Sequence, residues 1–310
     1  MKIVEPSFEI QDDLDNSSVT VRLEKCGRIC YKSEDSITED SALPFVTKIA
    51  AHGHNSVLEM AVVSFEVTCH ADHVLELLSC QPKYLEVDRT DTGMIVTGSI
   101  RTFRELYKKH PYNQLVNDLV TGLAQKEPHL FKSVFDSHEA LEVDPGLTIR
   151  KMSLEQVEAL PAELKARHRY VGVLFVVNRA VTHEIVRHRP CSFLQESQRY
   201  CRYNQDKFDN QVTFIKPMFF AEGSEEYKLW QEAMEMTEKR YLKLLESSTP
   251  QAARTVLPNS CKTEIIVYCN LEEWTHIFSL RTTKAAEPSM REVMNPLAEE
   301  FKKRYPAIFV

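Results

Sequence analysis

The run Tyr-Val-Gly-Val-Leu-Phe-Val-Val, residues 170–177, leaves the chain little choice of conformation. Its β-branched and aromatic side chains suit a pleated strand, and an unbroken apolar run of this length marks a buried one. The segment that follows, 178–189, has the composition of a short helix and is stopped by Pro190, which lacks a backbone N–H and restricts the residue before it. Strands are likewise expected over Ala-Val-Val-Ser-Phe-Glu-Val-Thr-Cys, 61–69, and Asn-Gln-Val-Thr-Phe-Ile-Lys-Pro, 210–217.

The helical signals are equally local. Ser224 can cap a helix whose first turn holds Glu225 and Glu226, and Tyr227, Trp230, Met234, Tyr241 and Leu245 form its apolar stripe. A helix over 36–53 is expected, with Ser41 as a cap, Pro44 in the first turn and Gly53 as its stop. Further helices are expected at 113–136, 271–280 and 289–304, the last made irregular by Pro296. Residues 93–106 read as a strand turning into a helix, whereas 139–148 and the charged stretch 151–168 read as loop and surface. There is no internal repeat and no Pro/Gly/Ser linker. The pattern is one mixed α and β domain, residues 1–310, with an insertion over 70–165.

Charge narrows the ligand. The chain carries a net charge of −7, which argues against a nucleic-acid or acidic-membrane surface. Yet Arg179, Arg187, Arg189, Arg199 and Arg202 crowd 24 residues that hold only Glu184 and Glu196 in opposition. A local cationic site in an acidic protein suits one compact anion, such as a phosphate. The eight glycines form neither G-x-G-x-x-G nor G-x-x-x-x-G-K, so any nucleotide must be gripped by side chains. The eight cysteines contain no C-x-x-C pair and read as free thiols. His52, His70, His73 and His183 are too irregularly spaced for zinc, and no metal is expected. No apolar stretch approaches the roughly 18 residues of a membrane span. The N-terminus lacks a secretory pattern, so a cytoplasmic location and no membrane partner are expected.

Arg187, His188, Arg189 and, after seven residues, Ser197 resemble the signature of the flavin-dependent thymidylate synthases, and the likeness continues through Arg199 and Tyr200. His-Gly-His-Asn-Ser-Val-Leu-Glu (52–59), Ala-Ala-Arg-Thr-Val-Leu-Pro (252–258) and residues 270–286 are similar to further segments of that family in the same order. The resemblance implies an α+β fold, a mixed or antiparallel sheet wrapped by helices, here with a helical insertion. It implies methylation of dUMP to dTMP, with FAD as cofactor and with methylenetetrahydrofolate and NADPH as co-substrates. It also implies a homotetramer with shared active sites.

By the same resemblance FAD would be contacted by His54, Ser56, Glu59, Arg187, His188, Arg189, Gln195, Asn270 and His276. The dUMP ligands would be Glu184, Arg187, Gln195, Glu196, Ser197, Arg199, Arg254 and Arg281. Arg254 would come from a neighbouring subunit, and Arg281 would be the principal catalytic residue, stabilising the ionised pyrimidine. Ser197 would touch the nucleotide phosphate rather than act as a nucleophile, because an activated serine needs a base and only His188 is at hand. The chain departs from the family pattern at Met60, Leu194, Gln195, Glu272 and Glu287. Those departures motivate an alternative: a non-catalytic nucleotide- or flavin-binding protein that keeps the scaffold. A single-stranded RNA reading based on residues 199–203 is opposed by the acidic total.

Overall fold

The computed structural model describes residues 1–132, 134–135, 144 and 146–309. Among the described residues the strands are β1 (Lys2–Val4), β2 (Ser7–Ile10), β3 (Val62–Thr68), β4 (Leu85–Thr90), β5 (Gly93–Ser99), β6 (Thr148–Lys151), β7 (Tyr170–Asn178), β8 (Ser192–Gln195), β9 (Thr213–Ile215) and β10 (Lys262–Asn270). They form an antiparallel sheet in the order β2-β7-β10-β8, a second antiparallel sheet in the order β4-β5-β3-β6, and a parallel β1-β9 pair. This is the expected α+β class. No helix among the described residues is long and apolar enough to cross a membrane.

The first sheet carries the site because β10 is buried on both faces. Ile265, Val267 and Cys269 join Val171, Val173 and Phe175 of β7 in a core closed by Trp274, Met290, Leu297 and Phe301. The alternate residues Ile266 and Tyr268 enter the opposite core with Leu23, Leu58 and Leu194. Successive side chains point to opposite faces of a strand, so one nine-residue strand ties two cores together. Each fully buried Val, Ile or Phe contributes about 1.5–3 kcal/mol. Gly172 pairs with Tyr268, and a Cβ there would meet the tyrosine ring at 3.2 Å. The missing side chain gives that ring its place.

Several sequence expectations change in detail. The 70–165 segment is not purely helical: it supplies β4, β5 and β6, which join β3 in a sheet of its own, besides the helices Ala71–Ser79, Ile100–Lys109 and Gln114–Lys126. The charged stretch expected as loop contains the helices Leu154–Glu158 and Ala162–His168. Of the expected loop 139–148, residues 139–143 and 145 lie outside the described residues. The helix expected over 36–53 starts at Ala42; Ser41 precedes it but turns its hydroxyl to Glu24 instead of capping, and Gly53 ends it with φ +72°. Ser224 caps the Glu225–Leu245 helix as expected, through a hydrogen bond from the Tyr227 N–H. All eight cysteines are free, and burial raises Cys26, Cys201 and Cys261 to about 12.

Candidate functional site

β7 delivers the chain to the helix Arg179–Ile185, whose first turn is capped by the Asn178 side chain accepting from the Val181 N–H at 2.9 Å. The helix stops at Ile185, earlier than the proline alone suggested. Arg187, His188 and Arg189 therefore sit on the turn beyond it. Pro190 follows, and β8 then pairs with β10 through Leu194–Ile266 and Gln195–Ile265. The loop is anchored further on, where the Ser197 N–H donates to the Cys30 carbonyl at 3.0 Å. Leu194 is buried in the core against this sheet, which explains an apolar residue in an otherwise polar segment.

Arg281 ends the helix Leu271–Arg281 and bridges to the signature turn, 93 positions earlier in sequence. Its Nη1 donates to Glu184 Oε2 at 2.6 Å, its Nη2 to the Glu184 carbonyl at 3.0 Å and its Nε to His188 Nε2 at 3.1 Å. A guanidinium has five N–H bonds, so two stay free for a ligand. With Nε2 accepting from Arg281, the other ring nitrogen, Nδ1, faces Glu273 Oε1 at 3.5 Å. His276 stands edge-on to His188, with ring centroids 5.7 Å apart. His188, Glu273 and His276 have the make-up of a metal triad. The bond from Arg281 opposes that use, since it already occupies the acceptor site of His188 Nε2.

A cavity of about 480 Å³ is lined by Tyr31, His54, Ser56, Gln195, Ser197 and Tyr200, with Arg101 on its wall, and Arg281, Glu184, His188 and His276 are not among its lining residues. The Tyr31 and Tyr200 rings lie 5.3 Å apart, and the Tyr31 hydroxyl is 3.2 Å from His54 Nδ1. Glu59 closes the far side of Arg101, accepting from its Nη1 at 2.6 Å. Burial raises the Glu59 carboxyl above its ordinary value, against the opposing pull of Arg101 and Ser192.

The remaining expected site residues divide by how far the protein already uses them. Glu196 is 2 % exposed and accepts from the Tyr203 hydroxyl at 2.9 Å and from Lys262 Nζ at 3.0 Å. Gln195 donates to the hydroxyls of Thr182 and Thr263. Asn270 caps the Leu271–Arg281 helix through its Oδ1 and donates from Nδ2 to the Arg167 carbonyl. These three are engaged internally. By contrast, the side chains of Arg187, Arg189 and Arg254 make no hydrogen bond or ion pair among the described residues, and Arg199 only meets the Tyr200 ring at 5.7 Å. Arg254 lies on the turn Arg254–Val256, packed beside the Glu225–Leu245 helix and away from the cavity wall. Of the departures from the family pattern, Met60 is core and Glu287 caps the helix Pro288–Arg304.

Sequence reasoning missed Arg101, Tyr31 and Glu273. Arg101 lies in the segment 70–165, and the packing of its helix against the helix Asn55–Leu58, with the ion pair to Glu59, brings it to the cavity wall. No local pattern could have signalled that.

Residues 166–307 match the family model described as "Thymidylate synthase complementing protein". The chain is 38 % identical over 128 residues to the flavin-dependent thymidylate synthase of Pyrococcus abyssi, covering 41 % of this chain and 52 % of the relative. It is 34 % identical over 165 residues to that of Thermococcus kodakarensis, covering 50 % and 66 %. It thus spans about half the length of the first of these curated relatives. A crystal structure of a UMP/dUMP methylase PolB from Streptomyces cacaoi, bound with 5-Br UMP, is similar at a TM-score of 0.37 and 22 % identity, over 43 % of this chain and 69 % of that one.

Proposed function

The chain belongs to the flavin-dependent thymidylate synthase family through residues 166–307, and from that premise we propose that it methylates dUMP to dTMP with FAD, taking its carbon from methylenetetrahydrofolate and its electrons from NADPH. The observation that carries the reading is the Arg281–Glu184–His188 bridge, because it joins the signature turn to the C-terminal segment in one hydrogen-bonded unit. The bridge also leaves two guanidinium N–H bonds unused beside the signature turn, which supports a ligand there.

The residues fit a flavin dinucleotide. Arg187 and Arg189 are exposed, flank a buried histidine and have no partner among the described residues, so their planar forks are free for a pyrophosphate. His54, Ser56, Glu59 and His276 are the further candidates to hold the cofactor. When bound, the flavin supplies the redox chemistry that no side chain can. The protein's own part is charge and position. Arg281 is held in place by Glu184 and keeps two N–H bonds to donate where negative charge gathers on the uracil ring. Ser197 and Arg199 are the candidate phosphate ligands of dUMP. Gln195 and Glu196 then act from behind the loop and fix its shape.

Ser197 does not act as a nucleophile in this reading. Its Oγ accepts from the Arg199 N–H at 3.3 Å, and the neighbouring candidate base, His188, already accepts from Arg281 on Nε2. We assign the protein to homotetramers in which Arg254 reaches a neighbour's nucleotide, which agrees with its lack of a partner here. Titrating the purified chain with FAD tests the cofactor assignment. The wild type should take up flavin and turn yellow, and Arg187→Ala with Arg189→Ala should weaken uptake by about tenfold or more. A chain that never takes up FAD would favour the non-catalytic alternative.

A further inference from the structure

β8 joins β10 in antiparallel register, with Ser192 opposite Tyr268. One residue further out, the same register sets Cys191, just beyond the signature turn, opposite Cys269, which precedes Asn270. Directly opposed residues of such a pair have Cα atoms about 4.5–5.5 Å apart, inside the roughly 4.4–6.8 Å that a disulfide spans. Opposed side chains also share a face of the sheet, and both cysteines belong to the core closed by Trp274 and Phe301. There the two thiols come within hydrogen-bonding reach of one another. Packing alone would be satisfied by any two small apolar side chains at these positions.

The other thiols are arranged differently. Cys80 and Cys201 donate to the Glu76 and Cys30 carbonyls instead. Within the pair the two sulfurs are not equivalent. Cys269 lies behind Cys191, and burial, followed by the bond and charge of Cys191, raises its thiol well above the ordinary value. Cys191 is in the wall of a cavity of about 560 Å³, which a water-sized oxidant can enter.

From this juxtaposition we infer an oxidation site: hydrogen peroxide entering the cavity converts Cys191 and Cys269 into a disulfide. The Cys191 thiolate attacks one peroxide oxygen, breaks the O–O bond and becomes a sulfenic acid, and the departing hydroxide takes up the thiol's proton as water. The Cys269 sulfur then attacks the Cys191 sulfur and expels its hydroxyl, which leaves with the Cys269 proton as a second water. The two thiols give up two electrons in all, and peroxide is reduced to two waters. The bond fastens the strand after the signature turn to the strand that leads to Asn270. It uses only the chain's own sulfurs and is independent of the methylation reading.

The test is peptide mapping by mass spectrometry of the full wild-type chain before and after hydrogen peroxide, with the remaining thiols alkylated before digestion. Trypsin releases 188–199 and 263–281, each with a single cysteine, so the joined pair is identified by its mass. Oxidation should yield that pair, lighter by two hydrogens than the separate peptides, before the other cysteines lose their thiols, and dithiothreitol should restore both peptides. Cys191→Ala should leave Cys269 reduced at the same dose, and Cys269→Ala should leave Cys191 as a sulfenic acid that dimedone traps. The inference is overturned if no joined pair forms, or if Cys191 proceeds to sulfinic acid while Cys269 stays reduced. It is equally overturned if 188–199 joins the peptide of Cys80, the other thiol in the cavity wall, or if Cys269 is oxidised as fast in Cys191→Ala. The wild-type map decides the matter without either variant, should these fail to fold.

Discussion

Replacing Arg281 by alanine separates the two jobs given to that side chain. Three hydrogen bonds are lost at once, to the Glu184 carboxylate, the Glu184 carbonyl and His188 Nε2. The Glu184 side chain is 35 % exposed and Arg281 17 %, so water replaces much of what the fold loses. The stability cost should then be about 1–2 kcal/mol, the low end for hydrogen bonds to charged groups. The catalytic cost should be larger. A fixed donor aimed at developing negative charge is worth about 10²–10³ in kcat. The assay is dTMP formation by the FAD-loaded variant, with thermal unfolding and flavin absorbance measured on the same sample. Arg281→Lys is the second arm: it keeps the charge but has no planar fork to span Glu184 and His188 together, so it should recover only part of the rate. An alanine variant that stays folded and retains more than about a tenth of wild-type turnover would refute the role, since the expected loss is at least a hundredfold.

Ser197→Ala should lower turnover by less than about tenfold, the range of one hydrogen bond; complete loss with unchanged dUMP affinity would restore the nucleophile. Glu196→Ala should destabilise the chain by about 3 kcal/mol in urea unfolding, because it strips a buried carboxylate from Tyr203 and Lys262, while Glu196→Gln should cost less. Stability should also fall on acidification below the ordinary histidine range. Burial lowers the pKa of His168, against the opposing pull of Asp88, and the ring lies between Thr97 Oγ1 and Asp88 Oδ2. The unfolded chain then binds a proton near pH 6.5 that the folded chain refuses, so this contribution is full above about 6.5 and is lost as pH falls through it. Melting temperatures at pH 7.5 and 5.5 check it, and His168→Gln should flatten the difference.

Elements whose signals are local were legible in the sequence. The strand at 170–177 and the helix behind Ser224 needed only side-chain type and spacing. The partner of that strand, β10, was missed because a strand buried on both faces shows no alternation, and its residues look like an extension of the ligand segment after it. Residues 151–168 looked like surface because their charges are many, yet Arg167 pairs with Glu86 and Asp88 across about eighty positions, and Lys165 with Glu158. Charge alone does not tell a solvated loop from a helix whose partners lie on another strand. In the site, the basic residues of the signature were visible, but their allotment was not. Sequence cannot tell Glu196, which is spent inside the fold, from Arg189, whose side chain has no hydrogen bond or ion pair among the described residues. Arg101 gave no signal at all, since its place beside Glu59 is made by tertiary packing.

The most direct measurement is conversion of labelled dUMP to dTMP by the purified chain supplied with FAD, methylenetetrahydrofolate and NADPH. Sustained dTMP formation that stops when FAD is withheld is the predicted result. A chain that binds FAD and dUMP but forms no dTMP with every component present would contradict it.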